Sequence, residues 1–173
     1  MIVRAAGEAD APVIAAIYGH HVLTGFGTFE EVPPSDAEIA TRIAGVGALG
    51  LPYLVAEDGG RVLGFAYAAP FRPRSAYRYT AEDSVYVHPD HLGQGIGRAL
   101  VAEVIRRCEA IGLRQLTAVI GDSANAGSIG LHRSLGFVET GIGRALGFKH
   151  GRWVDIVWMQ RPLNGGDATL PGE

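Results

Sequence analysis

At 173 residues, 47% hydrophobic and 19% charged, the chain has the composition of a soluble globular protein, long enough to build one full core without staples. A formal net charge of −3 with no basic run speaks against a nucleic-acid partner, and no apolar run is long enough to span a membrane. The single cysteine, Cys108, excludes an intrachain disulfide and a cysteine-cluster metal site; no histidine spacing suggests a metal, and none is expected. The start, Met1-Ile2-Val3-Arg4-Ala5, carries no signal-peptide core, and the expected compartment is the cytoplasm.

Ile2–Ala5 reads as a short strand. Asp10 is placed to cap a helix reaching about Leu23, with Val13, Ile14, Ile17, Tyr18 and Val22 on one stripe. Gly25 and Gly27 break it, and Phe26 and Phe29 are core plugs or a ligand wall. Ser35 and Glu38 form a capping-box pattern opening a second helix with Ile39, Ile43 and Val46 inward. Tyr53–Glu57 and Arg61–Ala69 form a hairpin around Asp58-Gly59-Gly60. An Arg-rich link, Pro70 to Arg78, leads to a strand over Tyr79–Val87. Gln94–Ile111 is a long helix with Ile96, Leu100, Val101, Val104, Ile105 and Cys108 on its buried face and Gly112 at its end. Gln115–Ile120 is a strand and Ser128–Leu135 a short helix. Phe137–Leu146 and Arg152–Gln160 read as a closing hairpin around Gly147–Gly151. Residues 1–163 are assigned to one domain, and 164–173 to a frayed, disordered tail.

Between the Tyr79–Val87 strand and the long helix lies His88-Pro89-Asp90-His91-Leu92-Gly93-Gln94-Gly95-Ile96-Gly97-Arg98. Glycine at every second position lets backbone N–H groups converge without Cβ clashes, and the helix start adds unpaired donors and a positive dipole end. Together these form a phosphate or pyrophosphate cradle. A Walker loop is excluded because Arg98, not Lys-Ser/Thr, follows Gly97; a dinucleotide fingerprint is excluded by the G-x-G-x-G spacing. The hexapeptide Gly-Ile-Gly-Arg-Ala-Leu recurs at 141–146, but its flanks do not support a second loop.

The spacing Leu92-Gly93-Gln94-Gly95-Ile96-Gly97 resembles the acetyl-CoA loop of the GNAT acetyltransferases. Tyr53–Glu57, Ala76–Val87, Ser128–Phe137 and Gly147–Asp155 are similar to the phosphinothricin N-acetyltransferase branch. The likeness runs from about Ile2 to Leu163. It implies an α/β (α+β) GNAT fold, in which a mixed, mainly antiparallel sheet with flanking helices splays after the strand Glu82–Val87 to admit the pantetheine. Leu92 departs from the Arg or Gln usual in the superfamily, which implies weaker pyrophosphate support, with His91 or Arg98 compensating.

Acetyl transfer to an amine needs a base for the ammonium and a proton for the departing thiolate. The resemblance makes Glu82 the catalytic carboxylate. It gives His132 a catalytic role beside that carboxylate in the proton relay, where other members carry Tyr; Tyr86 is not the donor expected here. Asp83, on the opposite face of a regular strand, is not expected to substitute for Glu82. The cofactor contacts implied are the backbones of Val85, Tyr86 and Val87, the loop Gly93, Gln94, Gly95, Ile96, Gly97 and Arg98, and Asn125 with Ser128. Asn125 also reads as a helix N-cap. Arg72, Arg74 and Arg78, with Tyr77, Thr80 and Phe29, are the candidate substrate contacts, or in the arginines' case a solvated loop. His20, His21, His88, His91 and His150 are read as structural.

The implied function is acetyl-CoA-dependent N-acetylation of a small amino-acid-like amine such as phosphinothricin, by direct attack in a ternary complex. Methionine sulfoximine, methionine sulfone or another small amine are the alternative acceptors, and a non-catalytic acyl-CoA sensor is the alternative of another class. Cys108 faces the helix core and is a poor nucleophile. The family implies a homodimer, with Trp153, Ile156 and Trp158 at the interface.

Overall fold

In a computed structural model that describes residues 1–171, the elements follow in the order β1 (Ile2–Ala5), α1 (Ala11–Thr24), α2 (Asp36–Ala48), β2 (Tyr53–Asp58), β3 (Arg61–Pro70), β4 (Thr80–Val87), α3 (Ile96–Ala110), β5 (Gln115–Gly121), α4 (Ala126–Ser134), β6 (Val138–Lys149) and β7 (Arg152–Pro162). The strands form one seven-stranded sheet ordered β1-β2-β3-β4-β5-β7-β6. Every neighbouring pair is antiparallel except β4 and β5, which run parallel. No helix among the described residues is long and apolar enough to cross a membrane.

The one parallel pair positions the site. β4 and β5 pair only from Thr80↔Gln115 to Asp83↔Ala118. Beyond that point β4 continues through Ser84–Val87 and β5 through Val119–Gly121, each still paired with its other neighbour. The splay therefore opens inside the Glu82–Val87 strand, immediately after Asp83, rather than beyond its end.

Each sheet face is sealed by its own helices. On one, Leu100, Val101, Val104 and Cys108 of α3 pack on Leu54, Ala66, Ala68, Leu116 and Met159. On the other, Ile14, Ile17 and Tyr18 of α1 and Ile39 of α2 pack on Tyr53, Val55 and Phe65. Burying each of these large side chains contributes about 1.5–3 kcal/mol. Alternation along β4 sends Ala81, Val85 and Val87 to the α3 side and Tyr86 to the α1 side.

Several local expectations change. Asp10 does not cap α1: its carboxylate accepts the Gly7 N–H at 2.8 Å and pairs with Arg4. Ser35 does cap α2, accepting from Glu38 N, whereas the Glu38 carboxylate turns to Arg42 instead of closing the box. The α3 helix starts at Ile96 because Gly95 is left-handed, so Gln94 belongs to the loop. The closing hairpin turns at His150-Gly151, both with positive φ, the pattern of a two-residue turn. Gly147, Phe148 and Lys149 are thus strand residues. The second copy of the hexapeptide lies where the β6–β7 register shifts, between Gly143 and Gly147, and forms no phosphate loop. Of the supposed interface residues, Ile156 is buried and Trp158 half-buried beside Gly143; Trp153 alone stands out, 66% exposed and edge-on to Phe148.

The tail is also corrected, because residues 164–171 are tied down. The buried Arg114 guanidinium donates to the carbonyls of Gly166 and Thr169 and to Thr169 Oγ1, at 2.8, 2.7 and 2.6 Å. Asn164 Nδ2 donates to Glu109 O and Leu113 O. The tail expectation for residues 172 and 173 lies outside the described residues. Arg114→Ala is expected to cost about 2–3 kcal/mol, from lost charge-assisted hydrogen bonds. Urea denaturation measures that cost, and hydrogen exchange over 164–171 should rise with it.

Candidate active site

The splay between β4 and β5 holds a cavity of about 620 Å³. Its floor is Asp83, the last paired residue of β4, together with Ala118 of β5. Its walls are the free ends of both strands, the start of α3, the first turns of α4 and the loop Gly25-Phe26-Gly27.

At the mouth, Gly93 and Gly95 adopt φ of 75° and 80°, a region that side-chain-bearing residues enter at a cost. The α3 helix has no side-chain cap at Gly95, and its first backbone bond is Ala99 N to Gly95 O. The N–H groups of Ile96, Gly97 and Arg98 thus lack helical partners, and all three residues line the cavity. A Cβ on Gly97 would meet Leu131 Cδ1 at 2.7 Å, so glycine there permits α3 to lie close to α4. This mouth suits an anionic diphosphate, with the exposed Arg98 beside it. Leu92, 60% exposed on the rim, offers no polar side chain.

At this level β4 carries two carboxylates on opposite faces, Asp83 in the cavity floor and Glu82 outside the cavity lining. Glu82 is half-buried on the α1 side, flanked along the strand by Thr80 and Ser84. Burial pushes its pKa up, the Asp83 charge adds to the rise, and the Arg72 charge opposes it. Asp83 lies on the cavity side, its side chain fully enclosed, with Oδ2 3.0 Å from His132 Nε2. His132 Nδ1 donates to Ser128 O at 2.8 Å, and Ser128 Oγ is 3.4 Å from the same nitrogen. Burial alone lowers the His132 pKa, but the Asp83 hydrogen bond and charge, with the Ser128 carbonyl, outweigh it and raise it. His132 thus pairs with Asp83 across the cavity face of β4, whereas the resemblance implied a place beside Glu82. The expectation that Asp83 points away from Glu82 holds geometrically, and that orientation is what brings it to the histidine.

The acetyltransferase (GNAT) family model matches residues 14–137. The chain belongs to this family. It is 58% identical to a phosphinothricin N-acetyltransferase of Alcaligenes faecalis over 98% of this chain and 86% of that protein. It is 40% identical to an L-methionine sulfoximine/L-methionine sulfone acetyltransferase of Salmonella typhimurium, over 95% of each. Among solved structures, a GNAT phosphinothricin acetyltransferase from Sinorhizobium meliloti in complex with AcCoA superposes with a TM-score of 0.96. The two are 51% identical, over 99% of this chain and 93% of that one.

Within this GNAT framework, the cavity brings together Val85, Tyr86, Val87, Gly93, Gly95, Ile96, Gly97, Arg98, Asn125, Ser128 and His132. Gln94 is exposed and outside the wall, because the loop turns it to solvent. Tyr86 contributes only backbone there; its ring packs against Tyr18 at 4.8 Å on the far face. Asn125 caps α4 by accepting from Ser128 N while lining the cavity. The candidate substrate contacts lie outside the cavity. Arg72 lies over Phe71 and Arg78 over Tyr79, Arg74 is exposed, and Tyr77 packs edge-on to Phe71. Thr80 O accepts from Phe71 N, tying this link to the strand that carries Glu82. Phe29 packs against Gly147, where a Cβ would come within 2.3 Å of its ring.

Two features escaped sequence reading. His21 lines the cavity, and its Nε2–H donates to Val87 O at 2.8 Å, so this carbonyl is already engaged. Burial lowers the His21 pKa and favours the neutral ring. No spacing in the chain marks His21. Phe26 was noted as a possible ligand wall, but its backbone matters as much: a Cβ on Gly121 would lie 1.9 Å from Phe26 O. Cys108 is fully buried with its thiol pushed up to about 12 by burial first and by the Asp83 charge second, so it stays protonated. No group of three or more His, Cys, Asp or Glu among the described residues could hold a metal ion.

Gly121→Ala forces the Phe26 carbonyl away from β5 and is expected to cost about 1–3 kcal/mol by overpacking. Gly130→Ala, in α4 with nothing within 4 Å, is expected to be stabilising by about 0.5–1 kcal/mol. Paired urea titrations check both.

Proposed function

We propose that this GNAT protein transfers the acetyl group of acetyl-CoA to the amino group of a small amino-acid-like substrate, with phosphinothricin the first acceptor to test. The observation that carries the reading is Glu82, a carboxylate of raised pKa at the apex of a strand splay whose mouth is a glycine cradle. The fit of the ligand to the chain's own residues supports it. The free N–H groups at the start of α3, with Arg98, suit the diphosphate, and the mostly apolar walls suit the thioester arm. Relatives named for phosphinothricin support that acceptor; those named for methionine sulfoximine and sulfone support the second.

Acetyl-CoA supplies an activated acetyl thioester. Glu82 takes the proton from the attacking amine, directly or through water, and burial brings its pKa closer to that task. Backbone N–H groups of β4 past Asp83, no longer paired with β5, are available to polarise the acetyl oxygen. Arg72, close enough to act on Glu82 electrostatically, would hold an anionic group of the acceptor. Gly93, Gly95, Gly97, Arg98, Asn125 and Ser128 hold the donor, and Leu92 leaves that hold to backbone and Arg98. No residue need form an acyl-enzyme.

We extend the reading to a cytoplasmic homodimer. Leu146, Phe148 and Trp153, exposed together on β6 and β7, support that assembly. Light scattering at twice the chain mass is the expected result.

Thiol release across an amine panel tests the acceptor class, and phosphinothricin or methionine sulfoximine should lead it. Glu82→Gln should lower kcat about 10²–10³-fold while leaving the KM for acetyl-CoA within a few-fold. Activity should fall as pH drops through the raised Glu82 pKa, because the base must be ionised. Arg72→Ala removes a charge that lowers that pKa, so the acid limb of the kcat/KM profile should move to higher pH.

A further inference from the structure

The cavity wall at Gly25-Phe26-Gly27 is held by residues far from it in the chain. α1 ends at Thr24, where Gly25 N donates to His21 O at 3.0 Å. The chain is anchored again at Thr28, whose carbonyl accepts from Lys149 Nζ at 2.8 Å. Between these anchors neither Phe26 nor Gly27 makes a backbone hydrogen bond among the described residues. Glycine on both sides of Phe26 leaves the segment without local stiffness, so its order comes from tertiary contacts. Three are present. The Arg152 guanidinium lies over the Phe26 ring, 3.8 Å from its centroid. The His150 ring stands edge-on to Phe26 at 5.4 Å. The Phe26 carbonyl presses on Gly121, 1.9 Å from where a Cβ would lie.

Arg152, the first residue of β7, is in turn fixed by one acid. Its guanidinium pairs with Asp122 Oδ2 and makes no other hydrogen bond among the described residues. Asp155, further along β7, is already taken by Arg144 at 2.7 Å, the Ala145 N–H at 2.9 Å and Ser123 Oγ at 3.1 Å. Asp122 is itself held on every side. It follows β5 with φ of 71°, its N–H donates to Asp155 O, its Oδ1 accepts from Ala124 N at 3.0 Å, and its carbonyl accepts from Asn125 N. The Ala124 amide holds the Asp122 carboxyl below its usual range; burial opposes this, and Arg152 adds to the lowering. The carboxylate opposite Arg152 is therefore ionised at neutral pH. Phe26, Gly121 and Asn125 all line the cavity. One ion pair thus ties together the Phe26 segment and the turn that leads into α4.

We propose that Arg152 is a positioning residue for the acyl donor: clamped by Asp122 and laid over Phe26, it latches the Gly25–Gly27 segment as a wall of the splay cavity and so slows the donor's escape. The inference rests on the reading of that cavity as the acetyl-CoA site. Arg152 is not part of the cavity lining and acts through the Phe26 ring, which is. A guanidinium suits this task, because its plane stacks on the ring while its edge meets the carboxylate. Lysine keeps the charge but has neither the plane nor the fork. The Arg152 side chain is 48% exposed, so breaking the latch frees the segment without opening the core.

Acetyl-CoA binding and release by the full-length protein, with KM, kcat and amide exchange, test the latch. Arg152→Ala should raise the acetyl-CoA dissociation rate and Kd about tenfold and the KM with them, with kcat at saturating donor within about threefold. Arg152→Lys should fall between parent and alanine. Hydrogen exchange without ligand should speed up over residues 25–28 and stay at the parent rate over 164–171, where a general loss of stability would also appear. Phe26→Leu should weaken donor binding by a similar factor. Adding Arg152→Ala to it should cost no more than about twofold again, because the arginine works through the ring. An unchanged dissociation rate in Arg152→Ala, or effects of the two substitutions that multiply, overturns the proposal. If Arg152→Ala does not fold, Asp122→Asn, alone and with Phe26→Leu, is read in the same way. A parent protein that binds no acetyl-CoA overturns the donor-site reading instead; a parent that binds it, with insensitive variants, removes the latch alone.

Discussion

The structure depends on where two parallel strands stop pairing. β4 and β5 exchange hydrogen bonds as far as Asp83 and Ala118 and then diverge. Inside a sheet, broken pairing would leave backbone groups unsatisfied at a cost of several kcal/mol each. Here the divergence is held open from both sides. β3 keeps pairing with β4 to Val87, and β7 keeps pairing with β5 to Gly121. His21 engages Val87 O, and the Phe26 carbonyl crowds Gly121. The gap is thus built by its neighbours, and the strand edges inside it are left for a ligand.

The same strand then uses its period of two to separate chemistries. Glu82 and Asp83 are adjacent in sequence, yet a residue step in an extended strand sends them to opposite faces. Glu82 keeps partial access to water under the α1 side, with burial raising its proton affinity. Asp83 is sealed under α3 and α4 and finds a histidine. Two like charges this close would oppose each other in a dry interior. The Asp83 charge accordingly adds to the rise in the Glu82 pKa, while His132 engages Asp83 Oδ2 at 3.0 Å on the other face.

The α1 side is organised around one loop. Tyr18 bonds Thr28 and Glu30, and Lys149, buried on β6, donates to Thr28 O. Burial lowers the Lys149 pKa, with Glu31 and Glu30 opposing the drop. This loop supplies the Gly25–Gly27 wall of the cavity, so the closing hairpin, remote in sequence, helps shape the site. That coupling explains why the Phe148–Lys149 segment is strand and not turn: the lysine must point inward while Phe148 points out.

The amino-acid sequence by itself determined the helices and strands, because apolar spacing, capping residues and glycine breaks are local and act through backbone sterics. It also determined the glycine cradle and the family, and with them the mixed sheet and its splay. Glu82 and His132 were legible through that resemblance, but their relation was not. Only the tertiary structure decided that His132 pairs with Asp83, that His21 closes onto Val87, and that Arg114 holds the tail. Each joins residues far apart in the chain, and such contacts are selected by burial and by the need to satisfy enclosed polar groups. Spacing carries no trace of these requirements, which arise only once the sheet and its helices have closed around the residues involved.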